Sequence, residues 1–258
     1  MSSLSKENNQ KLNKVIETCL LAGIESVLIE NLKDQPPVVR GINDDRTCLI
    51  LSNEDVPDFG QDVVIGLSRM RDLRSRANVL ATNADFEMSF DLNAKNEVSV
   101  LGFKSAKGKT QFRCASPSII KAPKAVNDEE HAIIAINKED VQTINAAAKA
   151  MSAKTFTLLC KKNGEGKYEA FIEFYDTNQD VFSIKVADDI DFIDPSAKAT
   201  FVYYYMSDIF LSLIRQIQGA LPETETSFPL IVGKGGTLRL IINNHVIILV
   251  PQTNTQGD

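Results

Sequence analysis

Residues 116–131, SPSIIKAPKAVNDEEH, interrupt the chain near its middle with two prolines, an acidic run and no sustained hydrophobic period. A helix-like segment and a set of alternating strands precede this stretch, and the same order of elements begins again after it. That is the pattern of one domain duplicated within a chain. It divides the sequence into residues 1–115, a connector of 116–131, and residues 132–258. Each half, at roughly 120 residues, is long enough to bury its own core.

Short-range patterns fill in each half. From Lys6 to Ala22, Leu12, Val15, Ile16, Cys19 and Leu20 share one helical face, with Lys11, Lys14 and Thr18 read onto the other. The runs SVLIENL, VVRGIN, TCLILSN and DVVIGL read as strands separated by Pro, Asn and Asp turn chemistry. LSRMRDLRSRANVL is a second helix, with Met70, Leu73, Ala77 and Leu80 inward and four arginines outside; FEMSFDL, EVSVLGF and TQFRCAS return to strands. The second half repeats this. HAIIAI leads into a helix over Lys138–Ala153 on Val141, Ile144, Ala148 and Met151; TFTLLCKK, YEAFIEFY and VFSIKVA are strands. FVYYYM opens onto a fourth helix carried by Ile209, Phe210, Leu213 and Ile217, and FPLIVGK, TLRLII and HVIILVPQ close the half. The fold class is therefore α+β, two duplicated domains each with two helices and antiparallel sheets.

Little in the sequence resembles catalytic machinery. His131 and His245 stand in no metal-binding spacing, and GKGGT over Gly233–Thr237 joins two strands, whereas a phosphate loop joins a strand to a helix. Asp188, Asp189, Asp191 and Asp194 are interleaved with apolar residues; a solvated strand end or a cation-dependent hydrolase site are the two readings. Cys19, Cys48, Cys114 and Cys160 are widely spaced and read as buried reduced thiols. No enzyme activity, cofactor or metal is expected. With a polar start and no apolar run near the roughly 18 residues of a span, neither is membrane association, and the expected location is the cytoplasm.

Charge is informative. The chain has a net charge of −6, yet segments 6–21, 68–80, 138–154 and 206–218 together carry +5, leaving −11 for the remainder. Basic helix faces in an acidic chain suit sequence-independent contact with phosphates, and the lack of exposed aromatics on them favours a duplex over single strands.

At RGINDDRTCLIL, DVVIGLSRMRDL, ASPSIIKAPKAV, INKEDVQTINAAAKAM and FPLIVGKGGTLRLIINNHVIILVPQ the sequence resembles the ring-shaped DNA sliding clamps of the proliferating cell nuclear antigen (PCNA) type, with a layout most like those of T-even-like bacteriophages. The resemblance covers nearly the whole chain. It implies the DNA-clamp fold, a head-to-tail homotrimeric ring around duplex DNA, and a processivity factor of viral DNA replication with a DNA polymerase and a clamp loader as partners. The DNA-facing cations it implies are Lys11, Lys14, Arg69, Arg71, Arg74, Arg76, Lys138, Lys149 and Arg215. It also implies a pocket for partner peptides from Ile42, Leu49, Ile119, Ile120, Val126, Pro229, Val250 and Pro251, although Ile119 and Ile120 also fit as anchors on their own domain. Subunit contact would fall on Thr110, Phe112 and Cys114 in one edge strand and Val181, Ser183 and Lys185 in another; alternation alone does not separate an edge from an internal strand. A ring-forming virion or tail protein without a polymerase role is the competing reading.

Overall fold

The protein, described by a computed structural model over residues 2–123 and 125–252, divides into two compact units. The first runs to Ala125 and includes Asn243–Val246; the second runs from Val126 to Ile242 and resumes at Ile247.

In the first unit the order is β1 (Ser2–Leu4), α1 (Lys6–Leu21), β2 (Ser26–Asn31), β3 (Val38–Ile42), β4 (Cys48–Ser52), β5 (Val63–Ser68), α2 (Met70–Ala81), β6 (Glu87–Leu92), β7 (Val98–Ser105) and β8 (Gly108–Arg113). Two antiparallel arrangements result, β4-β3-β2-β5 and β1-β6-β7-β8. The chain continues with β9 (Glu130–Asn137), α3 (Lys138–Ala150), β10 (Thr155–Lys162), β11 (Tyr168–Tyr175), β12 (Val181–Ala187), β13 (Asp191–Phe192), β14 (Phe201–Met206), α4 (Ser207–Ala220), β15 (Ser227–Gly233), β16 (Leu238–Ile242) and β17 (His245–Leu249), which returns to the second unit from Ile247. Its strands repeat the same connectivity as β12-β11-β10-β14 and β9-β15-β16-β17, with the short β13 added beside β9. The duplication expected from the sequence is thus present strand by strand.

Local chemistry sets the helix limits. Ser5 caps α1 by accepting from the Asn8 N–H at 3.2 Å. Gly23, at φ 68°, ends it: the Ile24 N–H reaches back to the Cys19 carbonyl at 2.8 Å. The second unit uses the same device without glycine. Ser152 takes φ 50° and the Ala153 N–H bonds the Ala148 carbonyl at 3.1 Å, so α3 stops at Ala150, three residues before the sequence pattern does. Arg69, read as part of the second helix, stands before it at φ 54° and ψ 51°.

The core of the first unit joins Leu12, Val15, Ile16 and Cys19 of α1 to Val27, Ile29, Val39 and Ile50, and Leu73, Ala77 and Leu80 of α2 to Leu101, Phe103 and Phe112. Thr18, expected on the outer face of α1, is fully buried and accepts from the Asn243 side chain at 3.1 Å. In the second unit Phe156 stacks on Tyr205 and lies 4.3 Å from Phe210, centroid to centroid. Each such buried ring contributes about 2–3 kcal/mol. Burial pushes the thiols of Cys19, Cys48, Cys114 and Cys160 well above the ordinary cysteine range, which keeps them protonated.

His245 is buried in the first unit, its Nδ1 3.3 Å from Ser52 Oγ. Burial pulls its pKa down from 6.5 to about 4, against the opposing attraction of Asp55. The folded chain therefore binds this proton less readily than the unfolded chain, and the stability it contributes is present above the unfolded value and lost as pH falls towards the folded one. Lowering pH from 7 to 5 is expected to cost about 2 kcal/mol from this residue. Urea unfolding at the two pH values measures the cost, and His245→Asn is expected to flatten the dependence.

Candidate nucleic-acid interface and strand edges

The nine cations implied by the clamp resemblance are at or near helices, but most already have acceptors. Lys11 Nζ lies 3.0 Å from Glu7, and Lys14 Nζ lies 2.6 Å from Asp55. Arg71 pairs with Glu25 at 2.9 Å and Arg74 with Glu17 at 3.2 Å. Lys138 Nζ donates to the Pro222 carbonyl at 2.7 Å, and Arg215 Nε to the Leu211 carbonyl at 2.9 Å. Arg76 Nη1 donates to the Gln111 carbonyl at 2.8 Å and Arg69 Nη2 to the Arg113 carbonyl at 3.3 Å. Lys149 is exposed and has no ion pair or hydrogen bond from its ammonium among the described residues. Exposed pairs of this kind are worth at most about 1 kcal/mol, so an incoming phosphate competes with them readily.

Sequence reasoning missed one feature of the second unit, a cleft of about 710 Å³ between the end of α3 and the start of α4. Ala148, Ala153, Met206 and Leu211 contribute apolar lining, while Lys149, Lys154 and Arg215 bring positive charge and Asp208 negative. No sequence pattern signals it, because it arises where two helix ends from distant parts of the unit meet.

The implied pocket residues fall in both units. Ile42 on β3 is half-buried and registers opposite the buried Leu49 on β4. The connector opens with a 3-10 turn over Pro117–Ile119. Its two isoleucines behave differently: Ile119 is 70% exposed, whereas Ile120 packs against Gly66, where an added Cβ would lie 3.1 Å from Ile120 Cγ1 and 2.6 Å from the Ala115 carbonyl. In the second unit Val126, Val250 and Pro251 are half-buried, and Pro229 is exposed on β15 opposite Ala135.

β8 and β12 each end a sheet. In an antiparallel ladder, alternate residues aim their backbone groups at the neighbour and away from it. The Cys114 N–H bonds the Ser99 carbonyl at 2.9 Å, which fixes the phase: Thr110, Phe112 and Cys114 face β7, and Lys109, Gln111 and Arg113 hold the open edge. The three residues implied from the sequence are therefore one position out of phase for edge pairing, and Phe112 is fully buried. On β12 the Asp176 N–H bonds the Asp180 carbonyl at 3.1 Å, which leaves Val181, Ser183 and Lys185 with outward backbone groups. Val181 and Phe182 are 50% and 41% exposed there.

The glycine turn over Gly233–Thr237 does cradle an anion, and the anion is the chain's own Asp128. Its carboxylate accepts from the Gly235 N–H at 2.6 Å, the Thr237 N–H at 3.0 Å and Thr237 Oγ1 at 2.7 Å. Burial pushes the Asp128 pKa up, but these bonds and Arg239 outweigh it and hold the carboxyl below its ordinary range. In the acidic stretch that follows β12, Asp188 pairs with Lys185 at 2.5 Å and Asp194 caps the turn at Ser196, while the buried Ile190 and Phe192 anchor the backbone. His131 is packed between Phe192 and Phe201. Among the described residues no group of three or more candidate ligands gathers around a metal-sized position.

No family model matches the sequence, and no curated protein matches it. Solved structures do. A. fulgidus PCNA bound to the C-terminal region of FEN-1 is 15% identical with a TM-score of 0.64, over 95% of this chain and 97% of that one. PCNA from Entamoeba histolytica is 12% identical at TM-score 0.63, over 98% of both chains. PCNA from Thermococcus kodakaraensis is 12% identical at TM-score 0.58, over 97% of this chain and 99% of that one. The chain has the fold of these PCNA-type clamps.

Asp128→Ala leaves three donors of the glycine turn without their acceptor and is expected to lower stability by about 1–3 kcal/mol, with Asp128→Asn between it and the parent. Urea unfolding of the three proteins at pH 7 measures this.

Proposed function

We propose that the chain is a DNA sliding clamp: a non-enzymatic processivity factor that closes as a homotrimeric ring around duplex DNA and tethers a DNA polymerase to it, working in bacteriophage replication. The observation that carries this reading is the likeness to PCNA-type clamps over 95% or more of the chain at TM-scores up to 0.64. Two features support it. The helices of the first unit carry an excess of Lys and Arg over Asp and Glu, those of the second carry Lys149 and Arg215, and the sheet ends β8 and β12 each turn the backbone groups of three residues outward, Lys109, Gln111 and Arg113 on one and Val181, Ser183 and Lys185 on the other. Pairing them head to tail between subunits buries two edges that a free monomer exposes.

On this reading Lys149, Arg71 and Arg215 meet the phosphate backbone without reading bases, and attachment is chiefly topological. Carboxylate-paired cations such as Arg71 and Arg74 exchange partners as the ring moves, which keeps backbone contact weak and permits sliding. The A. fulgidus PCNA structure holds the C-terminal region of FEN-1; here the corresponding partner tails, those of the polymerase and other proteins, are assigned to the apolar residues Ile42, Leu49, Ile119, Val126, Pro229, Val250 and Pro251. A loader that opens the ring is required, because a closed ring does not thread onto DNA without free ends.

Light scattering across a concentration series tests assembly. A species of three times 28.5 kDa that dissociates only on dilution is expected, and a strict monomer at every concentration overturns the reading. Polymerase extension on primed circular template with loader tests the cations. Arg71→Glu with Lys149→Glu is expected to lower processive synthesis about tenfold at moderate salt with the assembled mass unchanged, by removing about two phosphate contacts per subunit. Unchanged synthesis across a salt series removes these residues from the DNA face.

A further inference from the structure

Arg69 and Arg76 were implied as DNA-facing cations, yet both are bound to the strand that ends the sheet of the first unit. The Gln111 and Arg113 carbonyls that receive them are on the open side of β8, by the ladder phase fixed at Cys114 and Ser99. Both guanidinium groups also lie over the buried Phe112 ring, at 4.9 and 5.8 Å from its centroid. Two planar cations are thereby laid along one strand by a ring beneath and carbonyls beside them. The backbone contributes to this placement: Arg69 holds the left-handed conformation, φ 54° and ψ 51°, which residues with a Cβ adopt uncommonly. Their neighbours Arg71 and Arg74 on α2 reach carboxylates instead.

We propose that Arg69 and Arg76 guard the open edge of β8, and that multivalent phosphate drawing them away opens that edge to the β12 strand of a second copy of this chain. The second-copy half of this inference rests on the ring reading above. A strand approaching β8 needs the same two carbonyls for its own N–H groups, so guanidinium and strand compete for them. A phosphate oxygen competes in turn for the guanidinium, and it is the stronger acceptor because it carries charge and accepts two parallel bonds. Phosphate and strand therefore favour the same released state of the two arginines, and each tightens the binding of the other. The arrangement protects the free protomer from unselective edge pairing. It also moves two cations towards phosphate at the moment the edge is filled.

The test is sedimentation velocity over a concentration series in sodium tripolyphosphate, in a short random-sequence duplex, and in sodium chloride of matched ionic strength. Hydrogen exchange over residues 108–113 is followed in parallel. For the parent protein, phosphate is expected to lower the midpoint concentration of assembly about tenfold, the change that two carbonyl bonds of ordinary strength produce. Arg69→Gln with Arg76→Gln is expected to assemble at about that lower midpoint in chloride alone and to gain nothing from phosphate. Arg69→Lys with Arg76→Lys keeps the charge but not the planar fork, and is expected to follow the Gln variant in chloride. A response to both probes identifies multivalent phosphate in general as the effector, and a response to duplex alone restricts it to nucleic acid. A Gln variant that assembles no better than the parent, or keeps the parent's phosphate response, overturns the guard. If the parent stays monomeric throughout, the ring reading fails, and exchange then decides the guard separately. Exchange over 108–113 about tenfold faster in the Gln variant upholds it, and unchanged exchange removes it.

Discussion

A strand at the end of a sheet carries a row of backbone donors and acceptors that its own sheet does not satisfy, and β8 and β12 each carry such a row. On β8 the outward carbonyls of Gln111 and Arg113 hold two arginines of the adjoining helix segment. On β12 the edge is left open beside exposed Val181 and Phe182, an apolar surface that gains little from solvent. One edge therefore has two of its carbonyls covered by guanidinium groups, and the other presents Val181 and Phe182 at one end and the ion-paired Lys185 at the other.

The same economy governs the cations. A chain of net charge −6 carries much of its positive charge in local partnerships, Lys11 with Glu7, Lys14 with Asp55, Arg71 with Glu25 and Arg74 with Glu17. Each pair is neutral at a distance and separable at contact. Such a surface exerts little long-range attraction on an anion.

Much of the fold was legible because period-2 and period-3.6 patterns report which side chains are buried, and burial is what the duplicated units share. Leu12, Val15 and Ile16 on the first helix and Phe210, Leu213 and Ile217 on the fourth are buried as the pattern indicates. Three things were not legible, for three reasons. β1 consists of Ser2, Ser3 and Leu4 and exists because β6 offers an edge 84 or more residues away, a tertiary cause with no local trace. The left-handed Arg69 and Ser152 lack the glycine that marks such positions, so the sequence reading placed both inside helices that stop short of them. On β8, alternation identifies Phe112 as an inward side chain but says nothing of which carbonyls face out, because that phase is set by register against β7 and not by side-chain polarity. The candidate cations were identifiable by type and position; their carboxylate and carbonyl partners were not, since those come from other elements.

Each unit closes its second arrangement of strands with a first strand and a much later one: β1 registers Ser2 against Phe90, and β9 registers Asn137 against Ser227. During synthesis the earlier strand of each pair emerges long before its mate, and it must remain unpaired while the intervening helices and strands are made. Chains dominated by such distant pairings fold slowly relative to helical proteins of equal stability, and their waiting strands are where misassembly begins. The polar composition of Ser2 and Ser3 and the brevity of β1 make the first of these nascent strands a poor template for anything but its proper neighbour.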